Sequence, residues 1–297
     1  MSETLFRGLD RQQLDKEYNN IAKVRDYSLF MKEWSALCET TRTEYPNIKT
    51  VCFDEGTGQT MDLIYPNGPT DTPRPVQVFF HGGYWKALSK DVFTFIARAF
   101  AEQGIVTAIV DYALIPTVSM DELVRQCRQS IAWLFDNAAD HSLDPERIFT
   151  SGHSAGGHIV AMVAATDWTA FGTGYPVDLV KGGVGISGLY DLEPIRRCFL
   201  QDDLKLSEEC VAKNSPAGLP APKSGALQLV VGGYEGPEYL WQSQTMAAAW
   251  PGIACPAEVY APYNHFTIVS SLADPTSKLA TAIRAQMGVS DEAAKPS

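Results

Sequence analysis

The chain has 297 residues, 45% of them apolar and 20% charged, the composition of a folded chain with a sizeable core and not of a disordered one. Its 24 Lys and Arg against 35 Asp and Glu leave a formal charge of −11, which argues against nucleic acid or an anionic membrane surface as a partner. No apolar run nears the roughly 18 residues of a membrane span, the first ten residues lack an apolar stretch behind a basic start, and Cys38, Cys52, Cys127, Cys198, Cys210 and Cys255 have no ligand-like spacing, so the expectation is a cytoplasmic protein with reduced thiols and neither metal nor cofactor.

Residues 9–45 read as helical. Leu14, Tyr18, Ile21 and Ala22, then Phe30, Trp34, Leu37 and Cys38, recur at helical steps, and Pro46 closes the segment. The reading is a leading arm that packs on a later core. If the chain forms a homo-oligomer, this arm is the first surface to suspect.

From residue 50 the period changes. Residues 50–53 and 61–65 are β-type runs around the turn Gly56-Thr57-Gly58, and a Pro- and Gly-rich loop fills 66–75. Residues 76–80 form a continuous apolar strand, the pattern of burial on both faces. Strands and helices then alternate. Helices are predicted over 92–103 (stopping at Gly104), 120–137, 155–165, 239–249 and 276–287. Strands are predicted over 105–110, 147–150 (after a turn at 144–146), 182–186, 227–231 and 257–260. This alternation predicts an α/β fold with a mostly parallel central sheet flanked by helices. No repeat or linker divides the chain, so one domain over 1–297 is expected, with a small helical cap inserted at 190–225 and a disordered tail at 288–297.

Gly152-His153-Ser154-Ala155-Gly156 fits G-x-S-x-G, with a predicted strand running in and a small-residue helix running out. That setting is the elbow that lifts a serine hydroxyl above the edge of a sheet. His81-Gly82-Gly83-Tyr84-Trp85 follows strand 76–80. Backbone N–H groups there, from Gly82, Gly83 and Tyr84, together with that of Ala155, are placed to hold an oxyanion. His81 is read as structural, holding the loop. Of the five histidines (His81, His141, His153, His158, His265), only His265 lies in a loop after a late strand, where the order Ser, acid, His puts the base. The acid should follow a strand between Ser154 and His265. Glu235 stands in the usual place, with Asp191 and Glu238 as alternatives. Tyr84, Trp85, His153, Tyr190 and Phe266 are candidate substrate contacts, and Tyr234 is a further aromatic nearby.

These segments together resemble the kynurenine formamidase (arylformamidase) group of α/β-hydrolases, including its bacterial esterase relatives. The resemblance lies in His81-Gly82-Gly83-Tyr84-Trp85, in the opening Leu14-Asp15-Lys16-Glu17-Tyr18-Asn19-Asn20, and in Asp111-Tyr112-Ala113-Leu114, where Ala113 stands in the place of the group's usual Arg. It continues through Ser187-Gly188-Leu189-Tyr190-Asp191-Leu192, Asn214-Ser215-Pro216, Asn264-His265-Phe266 and Leu272-Ala273-Asp274-Pro275. The stretch Glu235-Gly236-Pro237-Glu238-Tyr239, followed by Gln242-Ser243, places the acid on Glu235, where formamidases often carry Asp and some bacterial esterases carry Glu. What the resemblance implies is the α/β-hydrolase fold and hydrolysis of an N-formyl arylamine, or of small aryl and alkyl esters, with small-molecule substrates and no nucleic-acid or membrane partner. Composition and spacing on their own reach only acyl transfer to water. A non-catalytic binding protein on the same fold is the remote alternative.

Overall fold

The computed structural model describes residues 4–70 and 72–289. The chain opens with α1 (Arg11–Tyr18), whose Asp10 and Gln13 form a capping box, and α2 (Tyr27–Glu44), capped by Asp26. The arm expected over 9–45 is therefore two helices joined by a 3₁₀ turn, Ile21–Lys23. Ile21, read as part of the packed stripe, is solvent-exposed. The caps at Asp10 and Asp26 set where each helix begins, and between them the Asn20 side chain turns inward.

Eight strands follow among the described residues: β1 (Ile48–Asp54), β2 (Gln59–Ile64), β3 (Arg74–Phe80), β4 (Val106–Val110), β5 (Leu143–His153), β6 (Gly182–Ile186), β7 (Leu227–Gly232) and β8 (Glu258–Tyr260). They form one sheet in the order β1-β2-β4-β3-β5-β6-β7-β8. The ladders from β4 through β8 are parallel, while β1–β2 and β2–β4 are antiparallel. This is the α/β-hydrolase fold.

Successive β3 residues feed opposite faces, as strand geometry requires. Val76, Val78 and Phe80 join a core with α3 (Met120–Asp136), α4 (Ala155–Ala164) and, further along the sheet, α9 (Pro237–Ala249). Phe79 joins the other core, with Trp34 and Cys38 of α2 and Leu279 and Ile283 of α11 (Lys278–Gln286). Short helices α5 (Trp168–Phe171), α6 (Glu193–Arg197), α7 (Gln201–Leu204) and α8 (Glu208–Asn214) precede β7, and α10 (Thr267–Ser270) follows β8. Thus the segment 190–225 contains α6, α7, α8 and a 3₁₀ turn, and no strand. Among the described residues no helix is long and apolar enough to cross a membrane.

Two elements differ from expectation. Segment 92–103 is not one α-helix but 3₁₀ turns, Thr94–Ala99 and Ala101–Gln103. Thr94, Phe95, Ile96, Ala97 and Ala99 are all buried, leaving only Arg98 partly exposed in the first turn, so the segment lacks the continuous wet stripe of an amphipathic helix. The stop at Gly104 holds, with φ of 74°. Strand 147–150 extends to Leu143–His153, because the turn at 144–146 is a bulge inside it: Arg74 pairs with Leu143, and pairing resumes only at Val76 with Ile148. The predicted tail at 288–297 falls outside the described residues from 290 onward.

The order of strands fixes where a ligand can sit. After β3 the chain steps to β4 on one side and to β5 on the other. At such a reversal, connections leave in opposite directions and open a crevice at the carboxyl ends of the strands. His81 to Trp85 leave β3 there, and Ser154 leaves β5 there.

Candidate active site

Ser154 has φ of 57° and ψ of −117°, a conformation that L residues avoid. Holding it costs of order 1–3 kcal/mol, which the surroundings must supply. They do so through close backbone packing. A Cβ on Gly156 would lie 1.9 Å from the Phe80 carbonyl oxygen, and one on Gly152 2.3 Å from that of Gly156. Only glycine lets β3, the elbow and α4 approach this closely. The Ser154 N–H donates to the Ile186 carbonyl at 2.8 Å, tying the turn to β6.

His265 reaches the same place from the loop after β8. Its Nδ1 lies 2.6 Å from Oε2 of Glu235, in the loop after β7. Glu235 is buried, and its Oε1 also accepts from Ser187 Oγ and the Gly232 N–H, each at 2.5 Å. A carboxylate accepts, so Nδ1 donates, and in the neutral tautomer this selects, Nε2 carries the lone pair. The His265 ring packs against His153 and Tyr239, at 4.6 and 4.8 Å between centroids. His153 Nε2 donates to the His265 carbonyl at 2.8 Å, and burial together with the neighbouring His265 pushes its pKa well down.

The structure does not bring the alternative acids to His265. Asp191 accepts from the Glu193 N–H at 2.9 Å, with its own backbone held by Gln242. Glu238 faces Arg7 and Tyr18.

Gly82 packs directly on the elbow: a Cβ there would meet Ser154 Cβ at 3.2 Å. Gly83 (φ 107°), Tyr84 (φ 49°) and Trp85 (φ 57°) form a tight positive-φ turn. Among the described residues nothing accepts from the N–H groups of Gly83, Tyr84 or Ala155. His81 is fully buried, stacked on Tyr112 at 4.2 Å, with Nδ1 2.7 Å from the Gly82 carbonyl. It holds the loop in place.

Two expected substrate contacts are corrected. Trp85 is fully buried, because the positive-φ turn swings its indole inward to donate to His158 Nδ1 at 3.1 Å. Tyr190 is also fully buried, its phenol packed against Gly185 and Gly188, where there is no side chain to block it. Tyr84, His153 and Phe266 do line the cavity that holds Ser154 and His265, and the exposed Tyr234 does not. This cavity of about 360 Å³ takes its walls largely from the arm (Tyr18, Asn20, Tyr27, Met31, Trp34), with Leu88 and Phe93 on one side and Phe199 and Leu200 on another.

Sequence reasoning missed Tyr239, Asn20 and Lys23. Tyr84 donates its hydroxyl proton to the Tyr18 carbonyl at 2.6 Å, so in the 2.7 Å contact between Tyr84 and Tyr239 it is Tyr239 that donates. Asn20 Nδ2 donates to Tyr239 at 2.6 Å. Lys23 Nζ donates to the Glu235 carbonyl at 2.7 Å. Each contact spans more than 60 residues, and the only signal was the placement of Asn20 within Tyr18-Asn19-Asn20 and of Tyr239 at the end of the Glu235-Gly236-Pro237-Glu238-Tyr239 stretch. Among the described residues no cluster of three or more His, Cys, Asp or Glu could hold a metal ion.

His158 carries a consequence for stability. Its Nε2 donates to the Asn214 carbonyl at 2.7 Å while Nδ1 accepts from Trp85, an arrangement only the neutral ring can make. Burial pushes its pKa from 6.5 down to about 4. Between these values the unfolded chain binds a proton that the folded chain refuses, so this contribution is complete above pH 6.5 and is lost as pH falls toward 4. The loss is on the order of 3 kcal/mol. Urea titrations of His158→Gln should show a shallower fall of stability between pH 7 and 4 than the unsubstituted protein; parallel curves would refute this.

A kynurenine formamidase of Danio rerio is 30% identical over 259 residues, 85% of this chain and 86% of the relative. The chain belongs to the kynurenine formamidase family. A Salmo salar kynurenine formamidase matches equally, 30% identical over 85% of this chain and 86% of its own. The BD-FAE family profile matches residues 61–205. Among solved structures, a proposed thioesterase from Silicibacter sp. TM1040 superposes with a TM-score of 0.79 at 28% identity, covering 91% of this chain and 98% of its own. An esterase from Pyrobaculum calidifontis superposes at 0.70 with 19% identity, covering 97% and 100%, a likeness of fold alone. Membership in the kynurenine formamidase family makes this chain a hydrolase of small substrates.

Proposed function

We propose that this chain is a serine hydrolase that cleaves the formamide bond of an N-formyl arylamine, N-formylkynurenine being the model substrate, through a formyl-enzyme. The observation that carries the reading is the strained Ser154 elbow in one cavity with His265, whose Nδ1 is held from behind by Glu235. His265 Nε2 takes the Ser154 proton as Oγ attacks the formyl carbon. The negative oxygen is met by N–H groups of the Gly82-Gly83-Tyr84 turn and of Ala155, donors that stabilise such charge by several kcal/mol. His265 returns its proton to the departing arylamine, and water activated by the same ring releases formate. Glu235 fixes the His265 tautomer and stabilises the imidazolium. Tyr27, Trp34, Phe93 and Phe266 on the cavity wall suit an aryl leaving group.

Ester hydrolysis is the second reading, since the same groups serve it and Glu235 stands where some bacterial esterases carry Glu. The deciding measurement is kcat/KM for N-formylkynurenine beside that for p-nitrophenyl acetate. The formamide is expected to reach about 10⁴ M⁻¹s⁻¹ or more. Ester turnover with negligible formamide cleavage would replace the reading with a carboxylesterase. A fluorophosphonate probe that fails to label Ser154 would remove the serine mechanism itself.

A further inference from the structure

We propose that the rim of the cavity binds the two charges of an α-amino acid carried by the leaving group, Lys86 receiving its carboxylate and Asp203 its ammonium. This rests on the formamidase reading above and names the chemistry at the far end of that substrate.

Among the described residues lining the cavity, Lys86 is the one Lys, Arg, Asp or Glu. It lies two residues beyond Tyr84 on the turn that faces Ser154, and its N–H donates to the Gly83 carbonyl at 3.1 Å. Its ammonium pairs with Asp203 of α7, just beyond the wall residues Phe199 and Leu200. Lys86 lines the cavity while its side chain is 29% exposed, and Asp203, which pairs with it from outside the lining, is 56% exposed, so the pair joins the cavity wall to the surface. The neighbouring Asp202 is already occupied, 3.7 Å from Arg11.

An aryl ring inside the apolar walls would carry its amino acid end outward. An unpaired carboxylate or ammonium deeper in the cavity would lose its hydration with nothing to replace it. At the rim, each charge meets its opposite. An exposed ion pair contributes little to stability, so exchanging it for two new pairs with the substrate costs little. A single cation would select any acid; a cation and an anion side by side select a zwitterion.

The test uses the full chain and three formamides sharing one ring: N-formylkynurenine, its analogue lacking the α-amino group, and neutral N-formyl-2-aminoacetophenone. Lys86→Met should lose kcat/KM on N-formylkynurenine by about tenfold more than on the neutral formamide, the excess appearing in KM. Asp203→Asn, at an exposed carboxylate remote from the core, should narrow the preference for N-formylkynurenine over the des-amino analogue by about fivefold or more. Salt raised from about 0.05 to 0.5 M should raise KM for N-formylkynurenine in the unsubstituted protein and not in Lys86→Met. Equal losses on charged and neutral substrates, or none, overturn the proposal and leave the formamidase reading standing. If the unsubstituted chain turns over p-nitrophenyl acetate and none of the three formamides, both fall.

Discussion

Ser154→Ala is expected to lower kcat by about 10⁴-fold or more while the protein stays folded. In the proposed mechanism the hydroxyl bonds to the acyl carbon, so its loss cannot be shared among neighbours as a lost hydrogen bond can. What remains is the turnover that oxyanion donors and binding give to water alone. Ser154→Gly separates this role from the turn itself. At φ 57° and ψ −117° alanine is as strained as serine, whereas glycine adopts this region freely. Ser154→Gly should therefore be equally inactive yet melt a few degrees higher than Ser154→Ala, the relief of about 1–2 kcal/mol. Steady-state kinetics and thermal melts on the two variants check both halves. Substantial activity in either would remove Ser154 from the chemistry and leave it a turn former.

Much of this arrangement was legible in the sequence wherever a local pattern carried it. Strand 182–186 and the core of 76–80 follow from short apolar runs between turn residues, and their bounds match closely. The elbow is legible because the backbone approach at Gly152 and Gly156 admits no other residue. His265 is legible by elimination along the chain. The side-chain directions were not. Trp85 and Tyr84 are adjacent, yet one faces the core and the other the cavity, since the positive-φ turn sends successive side chains apart. Tyr190 faces inward because Gly185 and Gly188 leave room that no local pattern announces. The 3₁₀ path of Thr94–Ala99 reflects burial of every residue but Arg98, a tertiary effect that overrides the helical reading. The arm's part in the site depends on contacts made across most of the chain, from Asn20 to Tyr239 and from Lys23 to Glu235.

Those arm contacts bear on the acid. Glu235 is held by its main chain through Lys23 and by its carboxylate through Ser187, Gly232 and His265. Glu235→Gln keeps the shape and can keep the carbonyl oxygen toward Ser187 and Gly232. It then presents an amide N–H to His265 Nδ1, where an acceptor is needed. The ring answers by moving its proton to Nε2, the atom that the proposed mechanism needs free to accept from Ser154. Glu235→Gln is thus expected to lower kcat by about 10³- to 10⁴-fold with little change in KM. Asp191→Asn is the matched control. Its Oδ1 accepts from the Glu193 N–H, an asparagine oxygen does the same, and the expected loss is within about threefold. Burial raises the Asp191 pKa, but no hydrogen bond joins it to His265, whose Nδ1 is held by Glu235. The two variants therefore set contact with the base against perturbed titration. A large loss in Asp191→Asn with a small one in Glu235→Gln would move the acid to β6 and undo the tautomer argument. The expected order would leave Glu235 as the residue that decides which nitrogen of His265 is free to work.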